Sequence, residues 1–237
     1  PLIIEQVLAV AIGMADTMMV ASCGEAAVSG VSLVDSINVL LINIFSALAT
    51  GGSIICAQYI GRDDHANANA SAKQLIAATF LVSAVIMIVC LFGNGLILSA
   101  IFPNTENAVM ENCLIYFFWS AISYPFLGVY NAGAALFRSM GNSRITMVIS
   151  VAMNLLNIGG NAVLIFGFHM GVAGAAIATL VSRIFGAVVT LYLLRWRSHG
   201  ITIDSLLRWR LDFRMIRTIL KIGIPNGLEN GMFQIGK

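Results

Sequence analysis

The sequence predicts an all-α polytopic membrane protein: a six-helix transmembrane bundle followed by the start of a seventh span. Three observations carry this. The 237 residues are 59% hydrophobic and only 10% charged, against roughly 25% charged in soluble domains. Mean hydropathy is +0.90, more apolar side chain than one core could bury behind so thin a charged surface. The apolar residues also fall into runs of about 20, the length that spans a bilayer.

The runs are 1–21, 30–57, 74–98, 110–137, 147–167 and 172–194, with a seventh from Ile219. The third and fifth contain no charged residue. The second and fourth are long enough to tilt or project beyond the bilayer. Pro125 is expected to kink the fourth, a break that neighbouring helices tolerate in a membrane.

The connections alternate in charge. The second–third connection (GRDDHANANASAK), the fourth–fifth (RSMGNSR) and the stretch after the sixth span hold Arg62, Lys73, Arg138, Arg144, Arg195, Arg197, Arg208, Arg210, Arg214, Arg217 and Lys221, 11 of the 13 Lys and Arg residues. The other connections (SCGEAAVSG, SAIFPNTENAVMEN, GFHMG) hold none. The positive-inside rule therefore places the even-numbered connections and the N-terminus in the cytoplasm. In bacteria this means a multi-pass protein of the plasma (inner) membrane.

Residues 1–195 are thus expected to form one transmembrane lobe. Residues 196–218 interleave Arg with Trp196, Leu206, Trp209, Phe213 and Ile216, the pattern of a basic amphipathic segment on the inner membrane surface. A plain basic linker is compatible with the same residues. Residues 219–237 would begin the second lobe. The first span opens P-L-I-I-E-Q and the seventh contains P-N-G-L-E-N, so Pro1 and Glu5 recur as Pro225 and Glu229 at equal offset. Two identities alone could be chance, yet both segments enter from the same side after six crossings. A duplicated six-helix unit predicts that, with halves related by an axis along the membrane normal. Both ends of the chain fall inside apolar stretches, which reads as a piece of a longer protein whose C-terminal half would be its partner.

Net charge is +2, too small to suggest nucleic acid. Cys23, Cys56, Cys90 and Cys113 form no CxxC pair and read as small apolar residues. His65, His169 and His199 are isolated, so no metal site and no cofactor is expected. Membrane lipids are the expected surroundings. The glycines at 51–52, 159–160 and in GVAGAA (171–176) read as sites of close helix contact.

Polar groups within the spans carry the functional argument, because an ionisable residue there is expensive. Glu5, Asp16, Asp35 and Arg183 are the charged candidates. From the inner ends of their spans, Asp16, Asn161 and Thr179 lie roughly 21–22 Å deep at 1.5 Å per residue, at about one height in the outer half of the membrane. Asn154, Asn157 and Asn161 follow i, i+3, i+7 and share one face. The bland reading of such a stripe is hydrogen bonding between helices. The functional reading is a wet cavity. Asp16 is the sharpest candidate: a buried carboxylate ringed by amide and hydroxyl oxygens could bind H⁺ or Na⁺, unless it is a static ion pair with Arg183. Arg183 could equally neutralise Asp35 or Glu5. Asp35, roughly 7 Å from the outer end of its span, and Glu5, near the inner interface, could simply be hydrated.

The run GMADTMMVASCGEAAVSGVSL, with Asp16-Thr17 and Gly24, resembles the first-span motif of the multidrug and toxic compound extrusion (MATE) family. ALATGGSIICAQYIGR resembles the end of its second span, FRSMGNSR its fourth–fifth connection, GVAGAAIATLVSR its sixth span and IGIPNGLE the start of its seventh. The likeness implies the N-terminal half of a twelve-helix, two-lobe transporter of prokaryotic type. Such a protein, which is not an enzyme, exchanges organic, often cationic, compounds for H⁺ or Na⁺ across a central cleft. It further implies that Asp16, Asn157, Asn161 and Thr179 form the ion-coupling site. Several relatives carry an aspartate where Asn161 stands, so here Asp16 is expected to bear more of the coupling. Glu5, Asp35, Asn154, Arg183 and Glu229 remain a secondary charge network. Two other readings stand beside this one: a lipid or oligosaccharide flippase of the wider superfamily, disfavoured because Arg183 is the only basic residue inside the six spans, and an intramembrane protease using Asp16 and Asp35, for which no motif speaks.

Overall fold

A computed structural model describes residues 17–195, 216–217 and 221. Glu5, Asp16 and Glu229, the basic stretch 196–218 apart from two residues, and the seventh span lie outside the described residues or almost wholly so. Among the described residues every element is helical: α1 (17–21), α2 (Glu25–Gly61), α3 (His65–Phe92), α4 (Asn94–Ile101), α5 (Asn107–Ser139), α6 (Ser143–Asn161, continued by a π-helical turn over Ala162–Gly167) and α7 (Gly171–Arg195). Five of these, α2, α3, α5, α6 with its π turn, and α7, are long and apolar enough to cross a membrane. They match the second to sixth predicted spans. The chain is an all-α, multi-pass membrane protein.

Several helix boundaries differ from expectation, most of all around the third span. Most of the 61–73 connection is helical, and only residues 62–64 interrupt it, so Lys73 sits within α3. The cause is a cap. The Asp64 carboxylate accepts from the Asn67 backbone N–H at 3.1 Å and from its side-chain amide at 2.7 Å. These bonds satisfy a free first-turn donor and hold the Asp64 carboxyl below its ordinary pKa. The alanine-rich run that follows then propagates as helix. The third span is also divided: α3 stops at Phe92, Gly93 breaks the helix, and α4 resumes at Asn94.

Helix ends follow local chemistry. At the end of α5 the Asn142 N–H bonds the Phe137 carbonyl at 2.9 Å and the Gly141 N–H the Arg138 carbonyl at 3.0 Å, with Gly141 at φ +76°. This is a Schellman ending, which needs a left-handed residue at that position. A side chain there would meet no atom within 4 Å, so only the backbone resists one. Gly141→Ala is therefore expected to destabilise the fold by about 1 kcal/mol, read as a lowered thermal midpoint of the purified protein.

The chain divides into two compact units. Of the described residues, the first comprises 17–39, 84–124 and 147–185. Its buried residues include Val34, Leu98, Phe117, Tyr124, Ile149 and Ala176. Gly30 lets α2 approach α5 closely: a Cβ there would stand 2.9 Å from that of Asn112, and the Cys113 thiol donates to the Gly30 carbonyl at 3.4 Å. Of the described residues, the second unit comprises 40–83, 125–146, 186–195, 216–217 and 221. Its core is built on Leu48, Ile55, Leu75, Ile76, Leu136, Phe137 and Leu194.

Large apolar side chains also lie outside. Val85, Ile88, Val89 and Phe92 of α3 are exposed at i, i+3, i+4, i+7 spacing, a continuous stripe that lipid would cover. The four cysteines are unpaired thiols.

Candidate functional site

The predicted stripe on the fifth span resolves into unequal parts, all in the first unit. Asn157 is buried on α6, and its Nδ2 donates to the Thr179 hydroxyl on α7 at 3.0 Å. One turn on, the fully buried Asn161 donates from Nδ2 to Asn157 Oδ1 at 3.4 Å. The Thr179 hydroxyl donates back to the Ala175 carbonyl at 3.0 Å. The structure thus brings together Asn157, Asn161 and Thr179. Asn154, on the same stripe, is half-buried and makes no side-chain hydrogen bond among the described residues.

The two helices meet so closely because Gly160 faces Ala178, where a Cβ would stand 2.9 Å from that of Ala178. After Asn161 the helix loosens into its π turn, a feature frequent at functional sites.

Next to this triad lies a cavity of about 100 Å³ lined by Thr17, Val20, Val28, Val31, Ser32, Asp35, Tyr116, Asn161, Ala175 and Thr179. Thr17 follows Asp16 in the chain. Asp35 is exposed, as a hydrated group would be. It opens onto the same cavity as Asn161 and Thr179. Asp35 Oδ1 accepts from Asn38 Nδ2 at 3.1 Å and from the Tyr116 hydroxyl at 3.3 Å. The Tyr124 hydroxyl donates to Asn38 Oδ1 at 2.9 Å.

Among the described residues Arg183 is held by a serine; Asp16 and Glu5, two of its expected partners, lie outside them. Its guanidinium donates to the Ser123 hydroxyl on α5, and among the described residues it forms no ion pair. Ser123 passes the bond on to the Ser120 carbonyl at 2.6 Å.

Asn38, Tyr116, Ser123 and Tyr124 were not identifiable as site residues from the sequence. A partial signal exists: Asn38 lies one turn beyond Asp35, and Tyr116 and Tyr124 are two turns apart on α5. Among the described residues no three His, Cys, Asp or Glu side chains converge. The arrangement offers side-chain oxygens, one carboxylate and a small cavity.

The MatE family model matches residues 1–163. The uncharacterized transporter YisQ of Bacillus subtilis (strain 168) is 29% identical over 252 residues, covering 100% of this chain and 52% of that protein. The probable multidrug resistance protein NorM of Thermotoga maritima is 27% identical over 241 residues, covering 98% of this chain and 50% of that protein. A crystal structure of MATE in the bent conformation has the same fold, with a TM-score of 0.86 at 22% identity over 96% of this chain and 50% of that one. The chain spans about half the length of the curated relatives it matches. Matched by the family model across more than half its residues, this chain belongs to the MatE family.

Proposed function

We propose that this chain is the N-terminal lobe of an ion-coupled antiporter that exports organic, cationic compounds from the cytoplasm. The observation that supports it best is the bonded triad Asn157–Asn161–Thr179 beside an oxygen-lined cavity. Polar side chains with no transport role would be a costly ornament at membrane depth. Relatives named as multidrug resistance and multidrug export proteins support the reading.

Asp16 supplies the coupling charge, and Asn157, Asn161 and Thr179 complete the site for H⁺ or Na⁺. Ion binding there biases the lobe between inward-open and outward-open states, so that each ion admitted returns a substrate to the outside. Residues 1–195 form this lobe, with the N-terminus in the cytoplasm. Residues 196–218 cross to the second lobe along the inner membrane surface, and 219–237 begin it. Glu5 and Glu229, at equivalent positions of the two repeats, lie where cytoplasmic cations would first meet negative charge. Membrane lipids surround the lobe, and the C-terminal half of the protein closes the cleft.

The test is transport by the full-length protein in proteoliposomes, with a lipophilic fluorescent cation as substrate and the pH and Na⁺ gradients imposed separately. One gradient is expected to drive uphill movement of the dye and the other is not. Dye movement indifferent to both gradients overturns the antiport reading.

A further inference from the structure

Within the first unit, α2 differs from the other spans in what it exposes. Ser32, Asp35, Ser36 and Val39 are exposed at i, i+3, i+4, i+7 spacing, which is one face of the helix. Away from the helix ends, the side chains that the other spans of this unit expose are apolar, as with Val89 on α3, Phe118 on α5, Leu155 on α6 and Val181 on α7. Lipid suits those faces. It does not suit this one. Asp35 stands roughly 15 Å into α2 at 1.5 Å per residue, a depth at which a carboxylate needs water or a cation. The Ser36 hydroxyl is satisfied within the helix, donating to the Ser32 carbonyl at 3.2 Å, so the demand is that of the acid.

Among the described residues no cation pairs with Asp35. Arg183, the basic residue whose charge reaches it from α7, donates instead to Ser123 on α5. Yet the exposed carboxylate is not loose. Its Oδ1 accepts from Asn38 and from the hydroxyl of the buried Tyr116, and Asn38 is held in turn by the fully buried Tyr124. An acid anchored by buried side chains and facing outward is preorganised for a partner from outside the lobe. Charge and polarity choose that partner. A carboxylate attracts a cation and repels an anion. Val39, one turn on along the same face, offers apolar contact, from which an organic cation gains and a hydrated inorganic ion does not.

We infer that the face of α2 formed by Ser32, Asp35, Ser36 and Val39 is a wall of the substrate path, and that Asp35 is the residue that selects organic cations by charge. The inference deepens the export reading proposed above and rests on it for its purpose, but it is tested by accessibility and binding rather than by transport.

The experiment uses the full-length protein in nanodiscs of zwitterionic lipid, with no ion gradient and with ethidium as the organic cation. In a variant stripped of its native cysteines, Ser36→Cys is expected to react with a charged, membrane-impermeant methanethiosulfonate reagent, and ethidium is expected to slow that reaction. Val89→Cys, on the apolar stripe of α3, is expected not to react. Saturable ethidium binding is expected for the wild type. Asp35→Asn, nearly isosteric, is expected to weaken it about tenfold, more than the loss of an ordinary surface ion pair because the bilayer lowers the dielectric around the site. Asp35→Glu, which keeps the charge, is expected to recover most of the affinity. Thermal midpoints should stay close to the wild type, which separates lost binding from lost folding. Wild-type ethidium affinity in Asp35→Asn, no saturable ethidium binding by the wild type, or a Ser36→Cys that is unreactive or unprotected overturns the inference. Failure of gradient-driven dye transport, with these binding results intact, overturns the antiport reading and leaves the cation-selecting face in place.

Discussion

Asn157→Leu is expected to reduce efflux about 10- to 100-fold while the protein still reaches the membrane. Asn157 is the joint of the triad: it donates to Thr179 on α7 and accepts from Asn161 on its own helix. Leucine keeps the branched shape and the number of side-chain heavy atoms, though it is bulkier, and it suits a membrane span, so insertion should not suffer. What is lost is the bridge. Asn161 then has no acceptor at position 157, and Thr179 loses its bond to α6. Each buried polar group left unsatisfied costs about 1–3 kcal/mol, and the resulting rearrangement moves the oxygens that line the cavity. Asn154→Leu is the matched control, the same exchange one turn away on the same helix. Because Asn154 is half-buried and unbonded among the described residues, it should change efflux by less than about twofold. Efflux of dye from cells carrying the full-length variants, normalised to protein in the membrane, measures both. Equal losses in the two variants would reduce the stripe to ordinary helix packing.

The contrast between Asn154 and Asn157 also marks what the sequence could tell. Periodicity put three asparagines on one face, and that much depends only on 3.6 residues per turn. Which of them bonds depends on α7, through Gly160 and Ala178, and no count along one helix contains that. The spans themselves were legible because hydropathy and charge are summed over 20 residues, where single errors cancel. Their ends were not. Hydropathy began the second span at residue 30, whereas α2 starts at Glu25. Those five residues matter, since they set Asp35 roughly 15 Å into its helix instead of roughly 7 Å at 1.5 Å per residue. They place a group that stays exposed beside the cavity as well. Gly93 was hidden for the opposite reason: an apolar run continues on both sides of it, so the break between α3 and α4 leaves hydropathy unchanged. Tyr116, which bonds Asp35, and Ser123, which bonds Arg183, come from α5, 81 and 60 residues away, and pairs of that separation are fixed only by tertiary packing.

The close approach of α6 to α7 can be tested by moving one methyl group from helix to helix. Gly160→Ala adds a Cβ that would stand 2.9 Å from that of Ala178, which forces the helices apart at the level of the triad. Overpacking of this kind costs about 1–3 kcal/mol. The 3.0 Å bond from Asn157 to Thr179 has little room to stretch before it weakens. Lower thermal stability and lost efflux are therefore expected together. Ala178→Gly alone removes a methyl from the same contact and should cost about 1 kcal/mol in helix propensity. In the double variant the new Cβ meets only the Ala178 position's Cα at 3.5 Å, an ordinary contact, so the helices can close again. Efflux is expected to recover in the double variant although each single change lowers stability, a favourable coupling that only touching sites can show. Additive losses would mean that α6 and α7 do not meet at Gly160. The bond that joins Asn157 to Thr179 would then lack the approach that makes it possible, and the ion site built on it would have to be drawn differently.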